Sequence, residues 1–154
     1  MIIHKYNHSD LQEIANLIRE TFRKFNSKEG NKKGIKKYLD YYDTRKNINK
    51  IKETFSKNTI FFVIKKKNKI IGLIRGRKNK IENLFVKGEY HKRGIGKKLV
   101  EKFEKEAKKQ KSKEIMIRAS LYSVPFYKKM GYKKTTGMRN IKGIKIQPMK
   151  KRLK

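Results

Sequence analysis

The chain has 154 residues, 36% of them hydrophobic, with 45 Lys and Arg against 13 Asp and Glu and a net charge of +32. That length suits one domain with a proper core, and apolar residues gathered in periodic segments exclude wholesale disorder. The absence of cysteine excludes disulfides, thiolate metal sites and cysteine nucleophiles. The three histidines, His4, His8 and His91, are too scattered for a metal site, so no metal is expected. No run approaches the ~20 apolar residues of a membrane span. The opening MIIHKYNHSD has neither a charged leader nor an apolar core, so the expected location is cytoplasmic, with no membrane partner. So positive a field favours nucleic acid, a ribosome or anionic cofactors. The lysines are spread over every element, however, as a Lys-, Ile- and Asn-rich coding bias gives. Charge alone selects no partner.

In chain order, Met1–Tyr6 reads as a short strand. Ser9 is placed to cap a helix whose apolar stripe is Leu11, Ile14, Ala15, Ile18, Phe22 and Phe25. Gly30 and Gly34 punctuate a loop. A second helix follows with Ile35, Tyr38, Leu39 and Tyr42 on one face, and a third, short one carries Ile48, Ile51 and Phe55. In Tyr38–Asp43 (YLDYYD), two carboxylates among aromatics can hold a cationic amine. The plainer reading puts Tyr38, Leu39 and Tyr42 in the core, with Asp40 and Asp43 solvated. Ile60–Ile64 and Ile70–Ile74 are β-rich runs joined by a turn at Asn68, the pattern of a hairpin.

Lys80–Lys111, KIENLFVKGEYHKRGIGKKLVEKFEKEAKKQK, organises the rest. It reads as strand, basic loop, glycine turn and long helix. Strand alternation puts Ile81, Asn83 and Phe85 on one face and Glu82, Leu84 and Val86 on the other. The helix shows an apolar stripe at Ile95, Leu99, Val100, Phe103 and Ala107. Gly94 and Gly96 at its mouth let a bulky anion reach the free N–H groups of the first turn, where the helix dipole is positive. His91, Lys92, Arg93, Lys97 and Lys98 ring that mouth, so the physical reading is a pyrophosphate cradle. The same glycines also permit close helix–strand packing, and by themselves they do not separate the two roles.

Beyond it, Glu114–Ala119 reads as a strand. Leu121–Met130 contains a short helix begun by Pro125 and ended by Gly131. Two last strands, Lys133–Met138 and Ile144–Met149, turn at Asn140–Gly143, and Lys150–Lys154 reads as a frayed basic end. No repeat, linker or second domain is visible, so residues 1–154 are one domain.

The stretch IENLFVKGEYHKRGIGKKL resembles the acetyl-CoA-binding motif of the GNAT superfamily of N-acetyltransferases, a strand followed by Arg/Gln-x-x-Gly-x-Gly/Ala at a helix start. Here the motif reads His91-Lys92-Arg93-Gly94-Ile95-Gly96, departing at His91. SVPFYKKMGY (Ser123–Tyr132) is similar to the family's later helix, with its Phe-Tyr pair and closing Gly-aromatic. The resemblance covers the chain from about Ile60 onward. It implies an α/β (α+β) domain with a central mixed, mostly antiparallel sheet of six to seven strands flanked by helices. A dimer through the last strands is compatible with that family, and the early helices would wall the acceptor groove.

The resemblance further implies an acetyl-CoA-dependent N-acetyltransferase. The strand Leu84, Phe85 and Val86 would bind the pantetheine arm through its backbone, with the Val86 N–H polarising the thioester. Amides from Lys92 to Lys97, through Arg93, Gly94, Ile95 and Gly96, would hold the pyrophosphate. The contact of His91 differs from the family's. Tyr127 matches the tyrosine near the cofactor sulfur and is the candidate acid; Glu82, where some small-amine acetyltransferases carry glutamate, is the candidate base through water. Relatives carry a cofactor-contacting asparagine near Arg118, Ala119 and Ser120; here Ser120 or Ser123 would substitute as donor. The rival readings are a non-catalytic nucleic-acid-binding module and an acetyl-CoA sensor, since a basic face and tyrosines also suit RNA.

Overall fold

The computed structural model describes all residues, Met1–Lys154. The strands are β1 (Ile2–Lys5), β2 (Ile60–Lys66), β3 (Lys69–Arg77), β4 (Lys80–Val86), β5 (Glu114–Ser120), β6 (Lys133–Lys134), β7 (Arg139–Ile141) and β8 (Ile144–Arg152). The helices are α1 (Leu11–Asn26), α2 (Lys32–Tyr41), α3 (Thr44–Ser56), α4 (Ile95–Lys109) and α5 (Val124–Lys129). One sheet runs β1-β2-β3-β4-β5-β8-β6, with β7 also on β8. Only β4 and β5 pair in parallel. No helix is long and apolar enough to cross a membrane.

The sheet separates two cores. α4 lays Leu99, Val100, Phe103 and Ala107 on one face, against Phe62, Ile64, Ile71, Ile115 and Ile117. α1 and α3 cover the other with Leu11, Ile14, Ile18, Ile51 and Phe55, against Phe61, Val63, Ile70 and Leu73. Strands β2 and β3 are buried on both faces, which is why each reads as an unbroken apolar run. Between the second core and the sheet lies a polar hub on buried Arg75. Its guanidinium donates to Asn83 Oδ1 (2.7 Å), Asn58 Oδ1 (3.1 Å) and Tyr42 Oη (3.0 Å), and stands 5.0 Å from the Phe55 ring.

Several expectations need correction. Asn7, rather than Ser9, caps the start of the first helical segment, in a reciprocal capping box with Asp10. Gly34 lies inside α2, capped by Asn31; a Cβ there would sit 2.7 Å from the Lys142 carbonyl, so the glycine serves close packing on the β7–β8 turn. Ile48 is exposed, because the backbone kinks at Asn47 and turns it off the Ile51–Phe55 stripe. Asp43 is buried, held by Arg45, while Asp40 is paired with Lys36 and Lys46. The segment 133–138 is only a two-residue strand, with β7 formed farther on. The basic end is not frayed: β8 runs to Arg152 opposite Glu114, and the Leu153 N–H donates to the Lys113 carbonyl.

Ile81 also changes sides. Arg75 pairs with Asn83 while the next residue, Gly76, pairs with Ile81, so Glu82 is the extra residue of a bulge. Ile81 therefore joins Leu84 and Val86 on the α4 face, while Phe85 packs with the opposite core.

Candidate active site

β4 and β5 pair only at Lys80–Met116 and Ile81–Ile117, and from Glu82 onward they diverge. The Lys87 N–H donates to the Ile71 carbonyl on β3, so antiparallel alternation turns Phe85 toward β3 as well. The N–H and C=O groups of Leu84 and Val86 thus face the gap. A wedge-shaped cleft results, with an unpaired strand edge along one wall.

The loop from Lys87 delivers the chain from the top of that edge to α4. Lys92 (φ 60°) and Gly94 (φ 80°) both adopt left-handed backbone, and the space where a Gly94 side chain would stand is open. No side chain caps α4, whose first intrahelical bond runs from the Lys98 N–H to the Gly94 carbonyl. The N–H groups of Ile95, Gly96 and Lys97 are therefore free at the positive end of a 15-residue helix. Gly96 has a second duty: a Cβ there would meet the Phe126 ring at 3.2 Å, so it seats α5 against α4. Lys92, Arg93, Lys97 and Lys98 are exposed around the mouth, with Arg93 and Lys66 both over the Tyr90 ring.

His91 turns back into the cleft. Its Nε2 lies 2.6 Å from the Val86 carbonyl and must donate, so Nδ1 accepts from the Tyr122 hydroxyl at 3.2 Å. One ring thus ties the β4 edge to the segment after β5, across the opening.

The Tyr127 ring is buried between Phe126 and Tyr132, and its hydroxyl has no partner within the chain. Burial pushes that phenol well above the usual tyrosine range. Glu82 sits where the strands part, its carboxylate 3.5 Å from Lys80 and 3.8 Å from Arg77. Ser120 and Ser123 are engaged with one another: Ser120 Oγ donates to Ser123 Oγ, and Ser123 Oγ to the Ser120 carbonyl. Both hydroxyl protons are spent on capping the turn after β5. No group of three or more His, Asp or Glu residues is arranged to hold a metal ion.

The profile of the acetyltransferase (GNAT) domain matches residues 22–153. The chain belongs to the GNAT family. No curated protein sequence matches it. Among solved structures, a GCN5-related N-acetyltransferase from Rhodopseudomonas palustris superposes with TM-score 0.85 at 17% identity, over 99% of this chain and 95% of that one. PaiA N-acetyltransferase from Thermoplasma acidophilum, in complex with coenzyme A, gives TM-score 0.77 at 24% identity, over 98% of each chain. An aminoglycoside 6'-N-acetyltransferase from Enterococcus faecium gives 0.73 at 18%, over 100% of this chain and 98% of that one. The GNAT domain therefore takes in α1 from Phe22 onward as well as the two blocks first legible in the sequence.

Phe25, Glu29 and Tyr122, which gather at the cleft with His91, were missed by sequence reasoning. Phe25 shows only as one member of a helical stripe. Nothing local marks Glu29 or Tyr122.

Proposed function

We propose that this chain is an acetyl-CoA-dependent N-acetyltransferase that moves an acetyl group to a primary amine by direct attack. The observation that carries the reading is the juxtaposition of two backbone sets that no strand or cap pairs: the Leu84–Val86 edge, of which only the Val86 carbonyl is engaged, by His91, and the bare first turn of α4. Pantetheine is a chain of amides and suits a strand edge; pyrophosphate suits a helix N-terminus. The PaiA complex with coenzyme A supports the same ligand for this cleft.

In the reaction the amine nitrogen bonds to the thioester carbon and the C–S bond breaks. The amine must arrive neutral, against an ordinary pKa of about 10.4 for a lysine-like group. Glu82, through a water molecule, takes the proton released as the C–N bond forms. The Val86 N–H donates to the carbonyl oxygen as it becomes an oxyanion. Tyr127 serves the departing sulfur. Burial makes its phenol a weaker acid than free tyrosine, so it stays protonated and donates a hydrogen bond to the thiolate. The proton that Glu82 took then passes through solvent to the thiolate, so that Glu82 is restored and coenzyme A leaves as the thiol.

The test is thiol release from acetyl-CoA over a panel of primary amines. Release that depends on the amine, with one acetyl group transferred per thiol, is expected. Saturable acetyl-CoA binding without turnover on any amine would make the chain a sensor. Salt-sensitive RNA binding without acetyl-CoA binding would make it a nucleic-acid module.

A further inference from the structure

Of the 45 lysines and arginines, Arg75 alone is buried, and every side-chain oxygen it meets is neutral. A guanidinium removed from water without a counter-charge costs stability, and the groups it orders show what is gained in return. Arg75 carries donors only. The Tyr42 hydroxyl accepts from Arg75, so its own proton is free to donate. Both groups meet Asn83 Oδ1, Arg75 Nε at 2.7 Å and Tyr42 Oη at 3.2 Å. The Asn83 amide is thereby turned one way round, with its oxygen to the hub. Its Nδ2 donates to the Glu82 carbonyl at 2.9 Å.

Glu82 is the extra residue of the bulge between β3 and β4. Such a residue falls out of the ladder, and its strand bends there. The bend coincides with the parting of the strands: β4 and β5 last pair at Ile81–Ile117, and the Leu84–Val86 edge lies beyond. Gly76 makes room for the bulge, since a Cβ on it would collide with the Lys80 carbonyl and stand 3.0 Å from the Glu82 nitrogen. Room alone does not hold the extra residue. The Asn83 amide does, from the face of the sheet that α1 and α3 cover.

We propose that Asn83, oriented by Arg75, is a positioning residue for the cofactor: its amide holds the bulge that parts β4 from β5 and so sets the Leu84–Val86 edge for pantetheine. This rests on the acetyltransferase reading above. Asn83 and Arg75 act through the backbone, from the far side of the sheet. Their influence falls on the pantetheine half of acetyl-CoA. The mouth of α4, which takes the pyrophosphate, is built by the loop from Lys87 and does not depend on them.

The experiment titrates acetyl-CoA, and separately its nucleotide half, adenosine 3'-phosphate 5'-diphosphate, into wild type and Asn83→Asp. The aspartate still accepts from Arg75 and Tyr42 and gives the buried guanidinium a counter-charge, but it has no N–H for the Glu82 carbonyl. It should melt no earlier than wild type and bind acetyl-CoA about tenfold more weakly, the loss of one hydrogen bond. Its affinity for the nucleotide half should be unchanged. A charge acting at a distance would instead weaken the phosphate-bearing half most. If Asn83→Asp does not fold, Tyr42→Phe, which takes one of the two donors from Asn83 Oδ1, should weaken acetyl-CoA alone by about threefold. Unchanged acetyl-CoA affinity in a folded variant, or equal weakening of both ligands, overturns the positioning role. Failure of wild type to bind acetyl-CoA overturns the acetyltransferase reading, and the positioning role with it.

Discussion

Tyr127 joins a buried ring to a hydroxyl that bonds nothing in the chain but is not sealed from solvent, so the oxygen is free to meet a ligand. Tyr127→Phe should fold at least as well as wild type and lose about 10²-fold in kcat, the low end for a proton or hydrogen-bond donor. The deficit should stay constant to pH 10, because the phenol, raised by burial, remains protonated throughout that range. A pH–rate profile of both proteins checks this; an unchanged kcat would remove Tyr127 from the chemistry. Gly94→Ala sets a side chain on left-handed backbone, at about 1–2 kcal/mol, and points it into the open space over the helix mouth. Weaker acetyl-CoA binding is expected, measured beside a melting curve. Gly94, Gly96 and Tyr127 were legible because each sits in a short stretch with fixed spacing. The partners of His91 and Glu29 were not, since Tyr122 is 31 residues from one and 93 from the other.

At the scale of elements, the hydrophobic period located every major helix and strand, and it failed where a local device broke the period. The bulge opposite Gly76 shifts Ile81 to the other face, and no residue type announces it. Only the end of β8, beyond Met149, reads as a frayed tail, because it is rich in lysine and arginine, yet β5 beside it supplies partners as far as Arg152. The Arg75 hub binds the segments after α2 and after α3 to β3 and β4 through Tyr42, Asn58 and Asn83. Arg75→Leu takes one donor from each of those three oxygens, although Asn83 Oδ1 still accepts from the Tyr42 hydroxyl, and a loss of about 1–3 kcal/mol is expected. Urea unfolding would measure it; a variant as stable as wild type would mean the hub contributes nothing net.

Over the whole molecule, ionisation limits stability from both sides. Hydrogen bonds from Arg45 chiefly hold the Asp43 carboxyl down at about 2. Its stabilising effect is therefore present above the ordinary value of 3.8 and lost as pH falls through about 2. Asp43→Asn should melt earlier than wild type near pH 7, with the gap closing toward pH 2. At the other end, desolvation raises Tyr6 to about 12 and lifts Tyr38, Tyr127 and Tyr132 above their ordinary value of 10. Folded protein then holds these protons more tightly than unfolded chain. That stability is intact below pH 10 and declines as pH rises through about 12. Melting temperatures across pH would show both edges.

The central claim is that the unpaired edge of β4 and the open mouth of α4 together bind acetyl-CoA. Calorimetric titration of acetyl-CoA into the protein, at roughly 0.2 M salt to damp non-specific attraction and with inorganic pyrophosphate as control, tests it most directly. Saturable one-site binding, far tighter than the pyrophosphate control, is the predicted result. Binding no better than pyrophosphate would contradict the account and leave the glycine turn as packing alone.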